Sequence, residues 1–186
     1  MLNRRQFLLT SFALFAAVQG AAAHPETGTA LAPQFLPQEV DFAREYPVGT
    51  IVVDTANRFL YLIESKNIAR RYGIGVGRAG LAFSGTAEIG RKAKWPSWRP
   101  TDNMIRRNPG KYARFADGVP GGPNNPLGSR ALYLYRDGQD TLYRIHGTTE
   151  PSSIGKAVSN GCFRMVNEHV EDLFERVPVG AKVVVD

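Results

Sequence analysis

Cys162 is the only cysteine among 186 residues, and its neighbours suit a nucleophile. The run Ser159-Asn160-Gly161-Cys162-Phe163-Arg164 sets a glycine directly before the thiol and a fixed cation two residues after it. Glycine permits a tight backbone turn that exposes the sulfur and aims amide N–H groups at one point. A nearby cation or imidazole lowers a thiol pKa, and the thiolate is the attacking species. The competing account of a lone cysteine is a small buried hydrophobe. A thiol nucleophile also needs a base, and the chain has three histidines. His24 falls in a Pro-rich stretch, a poor place for fixed geometry. His169 falls in the first turn of a predicted helix, off its apolar stripe, and reads as a solvated surface residue. His146 ends a predicted strand and is followed by Gly147-Thr148, so a rigid platform meets a loop. It is the expected partner of Cys162, against the alternative of a hydrogen-bonded core histidine.

Two further patterns bear on chemistry. Gly75, Gly77 and Gly80 fit the Gly-x-Gly-x-x-Gly spacing of dinucleotide sites, which needs a helix directly afterwards to meet the pyrophosphate. Leu81 to Trp95 shows no helical stripe, so these glycines read as turn and strand-end residues. Between Arg91 and Arg114 there are eight Lys and Arg residues and one acid, Asp102, with Trp95 and Trp98 among them. This stretch is either a solvated basic loop or a cradle for an anionic polymer. The single cysteine excludes an intrachain disulfide and a cysteine-rich zinc site.

The elements that must hold these residues are mostly strands. Short runs rich in Val, Ile, Leu and Tyr at Thr50–Asp54, Phe59–Glu64 and Ile68–Val76 are too closely spaced for crossover helices and read as a meander. Further strands are expected at Thr86–Lys94, Arg130–Tyr135, Thr141–Ile145 and Ala181–Val185. Along Thr141–Ile145, Leu142 and Arg144 share a face with His146, while Tyr143 and Ile145 take the other. One helix is predicted, because Val166, Val170, Leu173, Phe174 and Val177 form a single apolar stripe. Asn167 stands where a cap would be, and Pro178 ends the helix. Trp95–Gly128, crowded with Pro, Gly and Asn, has neither period and reads as a long functional loop. The class is mainly β, a sandwich or barrel with one principal helix.

Location narrows the partners. Residues 1–23 join Arg4 and Arg5 to an apolar stretch and the run Ala21-Ala22-Ala23, the pattern of a cleaved export signal. Arg4-Arg5 also resembles a twin-arginine signal. The apolar stretch is shorter than the roughly 20 residues a spanning helix needs. The cleaved protein is therefore expected in the periplasm, not integral to the membrane and away from nucleic acid. The signal holds two arginines and no acid, so its removal lowers the net charge from +6 to +4. Residues 24–47 read as a Pro-rich linker or a segment laid over the surface, and residues 48–186 as the folded domain.

His146-Gly147-Thr148 together with Ile154-Gly155-Lys156-Ala157-Val158-Ser159-Asn160-Gly161-Cys162-Phe163-Arg164-Met165 resembles the signature of the L,D-transpeptidases, the YkuD-type domain of bacterial cell-wall enzymes. The resemblance extends through Asn124-Asn125-Pro126-Leu127-Gly128 and covers roughly Val48 to Asp186. It implies a mainly β fold and acyl transfer on peptidoglycan stem peptides without metal or organic cofactor. Cys162 would attack the third-residue carbonyl and release terminal D-alanine, with His146 as base and N–H groups around Gly161 and Cys162 holding the oxyanion. Ser159 would shape that loop. Arg164 would be either a ligand for substrate carboxylates or a structural tie. Gly147, Thr148, Asn160, Trp95 and Trp98 are the other expected substrate contacts. Many family members carry a histidine two residues before the cysteine; here Asn160 stands there, a change expected to affect the acceptor side or fine positioning. The acceptor itself could be a second stem peptide, a lipoprotein lysine or water. In a different class, the domain would bind peptidoglycan without turnover.

Overall fold

The computed structural model describes residues 31–81 and 83–186. The expected export signal and His24 lie outside the described residues. In chain order the strands are β1 (Gln38–Asp41), β2 (Ile51–Asp54), β3 (Phe59–Ile63), β4 (Ile68–Gly73), β5 (Val76–Gly77) and β6 (Gly85–Lys94). After two short helices, α1 (Asp102–Arg107) and α2 (Pro109–Tyr112), come β7 (Arg130–Arg136), β8 (Gln139–His146), β9 (Ala157–Ser159) and β10 (Phe163–Arg164). The helix α3 (Asn167–Arg176) and the strand β11 (Lys182–Val185) follow.

Nine strands form one mixed sheet in the order β1-β4-β3-β2-β11-β6-β7-β8-β10. The meander β2-β3-β4 is antiparallel, as its short connections require. β11 lies parallel to β2 on one side and antiparallel to β6 on the other. A second, two-stranded sheet pairs β5 with β9. The mainly β expectation holds, and among the described residues α3 supplies the one long apolar helix face. Within the stretch read as a linker, β1 pairs antiparallel with β4 at the sheet edge.

The main core joins every strand of the large sheet except β1 to α3, and a smaller cluster of Val52, Ile63 and Ala69 lies apart from it. Ile51, Leu60, Tyr72, Ile89, Leu132, Ile145, Phe163 and Val183 meet Val170, Leu173 and Phe174 of the helix. Burying each large apolar side chain contributes about 1.5–3 kcal/mol, so the face of α3 secures it without a strong cap. Asn167 is not the cap: Val166 occupies that position, and no side chain caps the helix. At the other end Lys92 donates from Nζ to the Phe174 and Val177 carbonyls, closing the last turn. His169, read as solvated, is buried. The first turn of α3 is covered from outside the apolar stripe, which a helical period alone does not report.

The long loop also departs from expectation, because it contains α1 and α2. Thr101 caps α1 by accepting from the Met104 N–H, and Asn108 does the same for Lys111 at α2, with Pro109 at its first position. Both helices are too short to show a period. Among the described residues no helix is long and apolar enough to cross a membrane.

Candidate active site

β8 and β10 run parallel, with Phe163 opposite Ile145 and Arg164 opposite His146. Ile145 and Phe163 point into the core. By alternation, Arg144, His146, Cys162 and Arg164 share the opposite face. Cys162 lies two residues along from the partner of His146, a diagonal of about 8 Å between Cα atoms at ordinary strand spacing. That distance lets a thiol and an imidazole turn toward one another. The two residues singled out in the sequence are thus brought together by register, although sixteen positions separate them.

The ring of His146 is buried and its Nδ1 lies 2.6 Å from the Gly147 carbonyl. A carbonyl only accepts, so Nδ1 carries the proton and Nε2 is the basic nitrogen. Burial depresses the imidazole to about 4; the Gly147 carbonyl opposes this and the Arg164 and Arg144 charges reinforce it. The thiol of Cys162 is partly buried, and Sγ faces the Leu142 carbonyl at 3.9 Å. Burial pushes this thiol up, against the charge and backbone N–H of Arg144 and the charge of Arg164. The expectation that neighbouring cations would lower it needs correcting: they act in that direction, but desolvation is larger. At neutral pH the resting pair is therefore thiol and neutral imidazole.

The loop carrying the thiol is built by Ser159. Its hydroxyl donates to the Cys162 carbonyl at 2.6 Å and accepts from the Gly161 N–H at 3.1 Å. Gly161 has φ of +131°, and a Cβ there would lie 2.6 Å from the Tyr143 ring and 2.7 Å from the Leu81 carbonyl oxygen. Only glycine fits both demands. Its N–H, expected as an oxyanion donor, is engaged within the loop by Ser159. Two glycines of the apparent dinucleotide pattern, Gly75 and Gly77, lie against this loop. Gly75 and Arg164 exchange backbone hydrogen bonds of 2.8 and 2.9 Å, and the Arg78 N–H donates to the Ser159 carbonyl at 3.1 Å. A Cβ on Gly75 would sit 2.6 Å from the Ser153 carbonyl oxygen. The chain continues from Gly80 toward β6, without the helix a dinucleotide site needs.

The remaining expected residues divide. Arg164 pairs with Glu150 at 2.7 Å and is partly buried. Gly147 and the buried Thr148 lie beside the Gly128–Ser129 turn. Asn167 Oδ1 accepts from the Ser129 and Thr148 N–H groups at 3.1 and 3.3 Å, stitching two loops next to His146. Asn160 donates to the Tyr112 hydroxyl at 2.7 Å and faces Arg78 at 3.5 Å. Trp98 packs edge-on against Tyr112 and Phe115, inside the loop, whereas Trp95 is exposed. Sequence reasoning did not single out Tyr112, Asn167, Asp140 or Arg144 as site residues. Only Arg144 left a signal, through its shared strand face with His146.

The L,D-transpeptidase catalytic domain (YkuD) family matches residues 49–185. The chain is 35% identical over 161 residues to the probable L,D-transpeptidase YbiS of Escherichia coli (strain K12), covering 86% of this chain and 50% of that protein. It thus spans about half the length of the curated relatives it matches. A solved structure named as a probable carnitine operon oxidoreductase caia from Brucella melitensis is 55% identical, with a TM-score of 0.58 over 84% of this chain and 96% of that one. An Enterococcus faecium L,D-transpeptidase mutant is 16% identical and shares the fold, at a TM-score of 0.54 over 74% of this chain and 49% of that one. With the family's catalytic domain matched along nearly all of the sheet that carries His146 and Cys162, the chain belongs to the L,D-transpeptidase (YkuD) family.

Proposed function

We propose that this chain is a periplasmic L,D-transpeptidase acting on peptidoglycan stem peptides. The observation that carries the reading is the placement of Cys162 beside His146 on one face of β8 and β10, with Nδ1 held by Gly147 so that Nε2 is basic. Nε2 takes the thiol proton as sulfur attacks the carbonyl of the third stem residue. The carbon–sulfur bond forms, the amide to D-alanine breaks, and the proton passes from His146 to the departing amine. The Cys162 N–H serves as the oxyanion donor, since that of Gly161 is engaged by Ser159. An acceptor amine then attacks the thioester, forming the new amide and returning a proton to sulfur through His146.

In this reading residues 1–23 are the export signal, 24–47 an N-terminal segment and 48–186 the catalytic domain. Exposed Trp95 and the basic loop contact the stem peptide and glycan, and no metal or organic cofactor takes part. The oxidoreductase name borne by the Brucella structure is not favoured here, because the Gly75–Gly80 run leads toward a strand.

The test incubates the mature protein with disaccharide tetrapeptide and follows products by mass spectrometry. Loss of D-alanine with dimer formation supports 3-3 cross-linking; loss without dimers indicates a carboxypeptidase. Transfer only to a lysine-bearing lipoprotein peptide indicates an anchoring enzyme. Binding of peptidoglycan without D-alanine release would overturn catalysis altogether.

A further inference from the structure

A cross-strand row runs through the sheet to the thiol. Arg91 on β6 stands opposite Tyr133 on β7, and Tyr133 opposite Arg144 on β8. Extending the β8–β10 register by one residue puts Cys162 beside Arg144. The Tyr133 ring has the Arg91 guanidinium 3.5 Å and the Arg144 guanidinium 4.3 Å from its centroid. Arg144 is fixed further by a two-pronged pair with Asp140, at 2.8 and 3.0 Å, and by donating to the Tyr143 carbonyl at 3.0 Å. A stacked, forked guanidinium loses little freedom in holding one position.

Asp140 also shapes the backbone. Its Oδ1 accepts from the Leu142 N–H at 2.8 Å, where Leu142 has φ of +65° although it is not glycine. A register shift in the β7–β8 pairing accompanies this turn. The result aims the Leu142 carbonyl at Cys162 Sγ, and the Arg144 N–H faces the same sulfur. Strained, bulged strands recur beside active sites because they redirect such groups.

The geometry points to Arg144 as the positioning residue of the Cys162 thiolate, with Asp140 holding it in place and moderating its charge. When His146 removes the proton, sulfur exchanges the Leu142 carbonyl for the Arg144 N–H and guanidinium field. The other charged group acting on the sulfur is Arg164, itself paired with Glu150; the remaining titratable group on this face, His146, is neutral where the thiol titrates. Arg91 reinforces the row from behind Tyr133. This inference rests on Cys162 being the nucleophile, but its test needs no peptidoglycan.

The experiment measures the rate of Cys162 alkylation by iodoacetamide against pH, in the folded mature protein and its variants. Arg144→Gln is expected to move the midpoint up by about one pH unit or more, the scale of a removed opposite charge. Arg144→Lys restores part of that shift. Asp140→Asn keeps an oxygen for the Leu142 N–H but removes the negative charge, and is expected to move the midpoint down. Opposite shifts in the two charge variants support the role. An unmoved midpoint in Arg144→Gln, or shifts of the same sign in both, overturns it. If Arg144→Gln does not fold, Asp140→Asn and Arg144→Lys decide the question: a midpoint lowered by the first and unmoved or raised by the second supports the role, and any other pattern overturns it. Failure of the transpeptidase reading would instead appear as no turnover of tetrapeptide by a protein whose thiol titrates as described.

Discussion

Asn160 donates from Nδ2 to the hydroxyl of Tyr112, 2.7 Å away, and so ties the second short helix of the long loop to the segment that ends in Cys162. Trp98 packs against the same tyrosine ring. Tyr112→Phe removes this tie and little else, a net loss of about 0.5–1.5 kcal/mol. The expected outcome is faster trypsin cleavage at Arg106, Arg107 and Lys111, a changed KM for tetrapeptide and a melting temperature lowered by only a few degrees. Wild-type cleavage rates in Tyr112→Phe would show that the loop is held elsewhere.

The buried imidazole of His146 predicts a pH dependence of stability. Its pKa is about 4 in the folded protein, against roughly 6.5 in an unfolded chain. The unfolded state binds more protons between these values, so stability is full above about 6.5 and declines as pH falls toward 4. The loss is of the order of 3 kcal/mol, and His169, also depressed mainly by burial, adds in the same direction. Urea unfolding midpoints at pH 7, 5.5 and 4.5 should fall in that order. In His146→Gln the slope should flatten.

The same depression applies to catalysis. An imidazole that protonates near 4 stays available as a base through mildly acidic pH, so the acid limb of kcat/KM for D-alanine release belongs well below the ordinary histidine range. A limb at 6 to 7 would contradict the buried, neutral His146. Cys162→Ala should abolish release entirely.

Asn167 offers a structural test. Asn167→Ala takes the acceptor from the Ser129 and Thr148 N–H groups at once, and leaving such groups unsatisfied costs about 1–3 kcal/mol each. Denaturant unfolding should show a loss of about 2–6 kcal/mol, whereas Asn167→Asp keeps the oxygen and loses much less. Equal destabilisation by both would argue that the amide nitrogen matters instead.

Gly161→Ala tests the thiol loop. The added Cβ meets the Tyr143 ring and the Leu81 carbonyl, and both belong to packed surroundings that yield little. Cys162 alkylation and D-alanine release should each fall at least tenfold while far-UV circular dichroism stays native. Retained alkylation would show that the loop tolerates a shift.

Local patterns carried much of this architecture into the sequence. Val, Ile and Leu runs marked β2, β3, β6, β7 and β8 to within a few residues, and the apolar stripe marked α3. The Ser159–Arg164 run and His146 were legible because their chemistry is local: a glycine before a thiol, a histidine at a strand end. What was not legible depends on contacts between distant residues. Asn167 looked like a cap and instead bridges two loops. His169 looked solvated and is covered by chain that its own helix does not specify. Tyr112 and Arg144 acquire roles only through the fold of the loop and the β8–β10 register. The short helices α1 and α2 are one or two turns long, too brief to impose a period on Pro- and Gly-rich sequence.

The position of β11 has a consequence for how the molecule is made. This strand is synthesised after all the others described, yet it alone joins β2 to β6. Until it emerges, the chain holds two half-sheets, each with an unpaired strand edge, the apolar β2 and the mixed β6, open to pairing with another copy. Assembly is therefore expected to be delayed until Lys182–Val185 is free, and a chain interrupted before Lys182 should aggregate through those edges rather than persist as a smaller active domain.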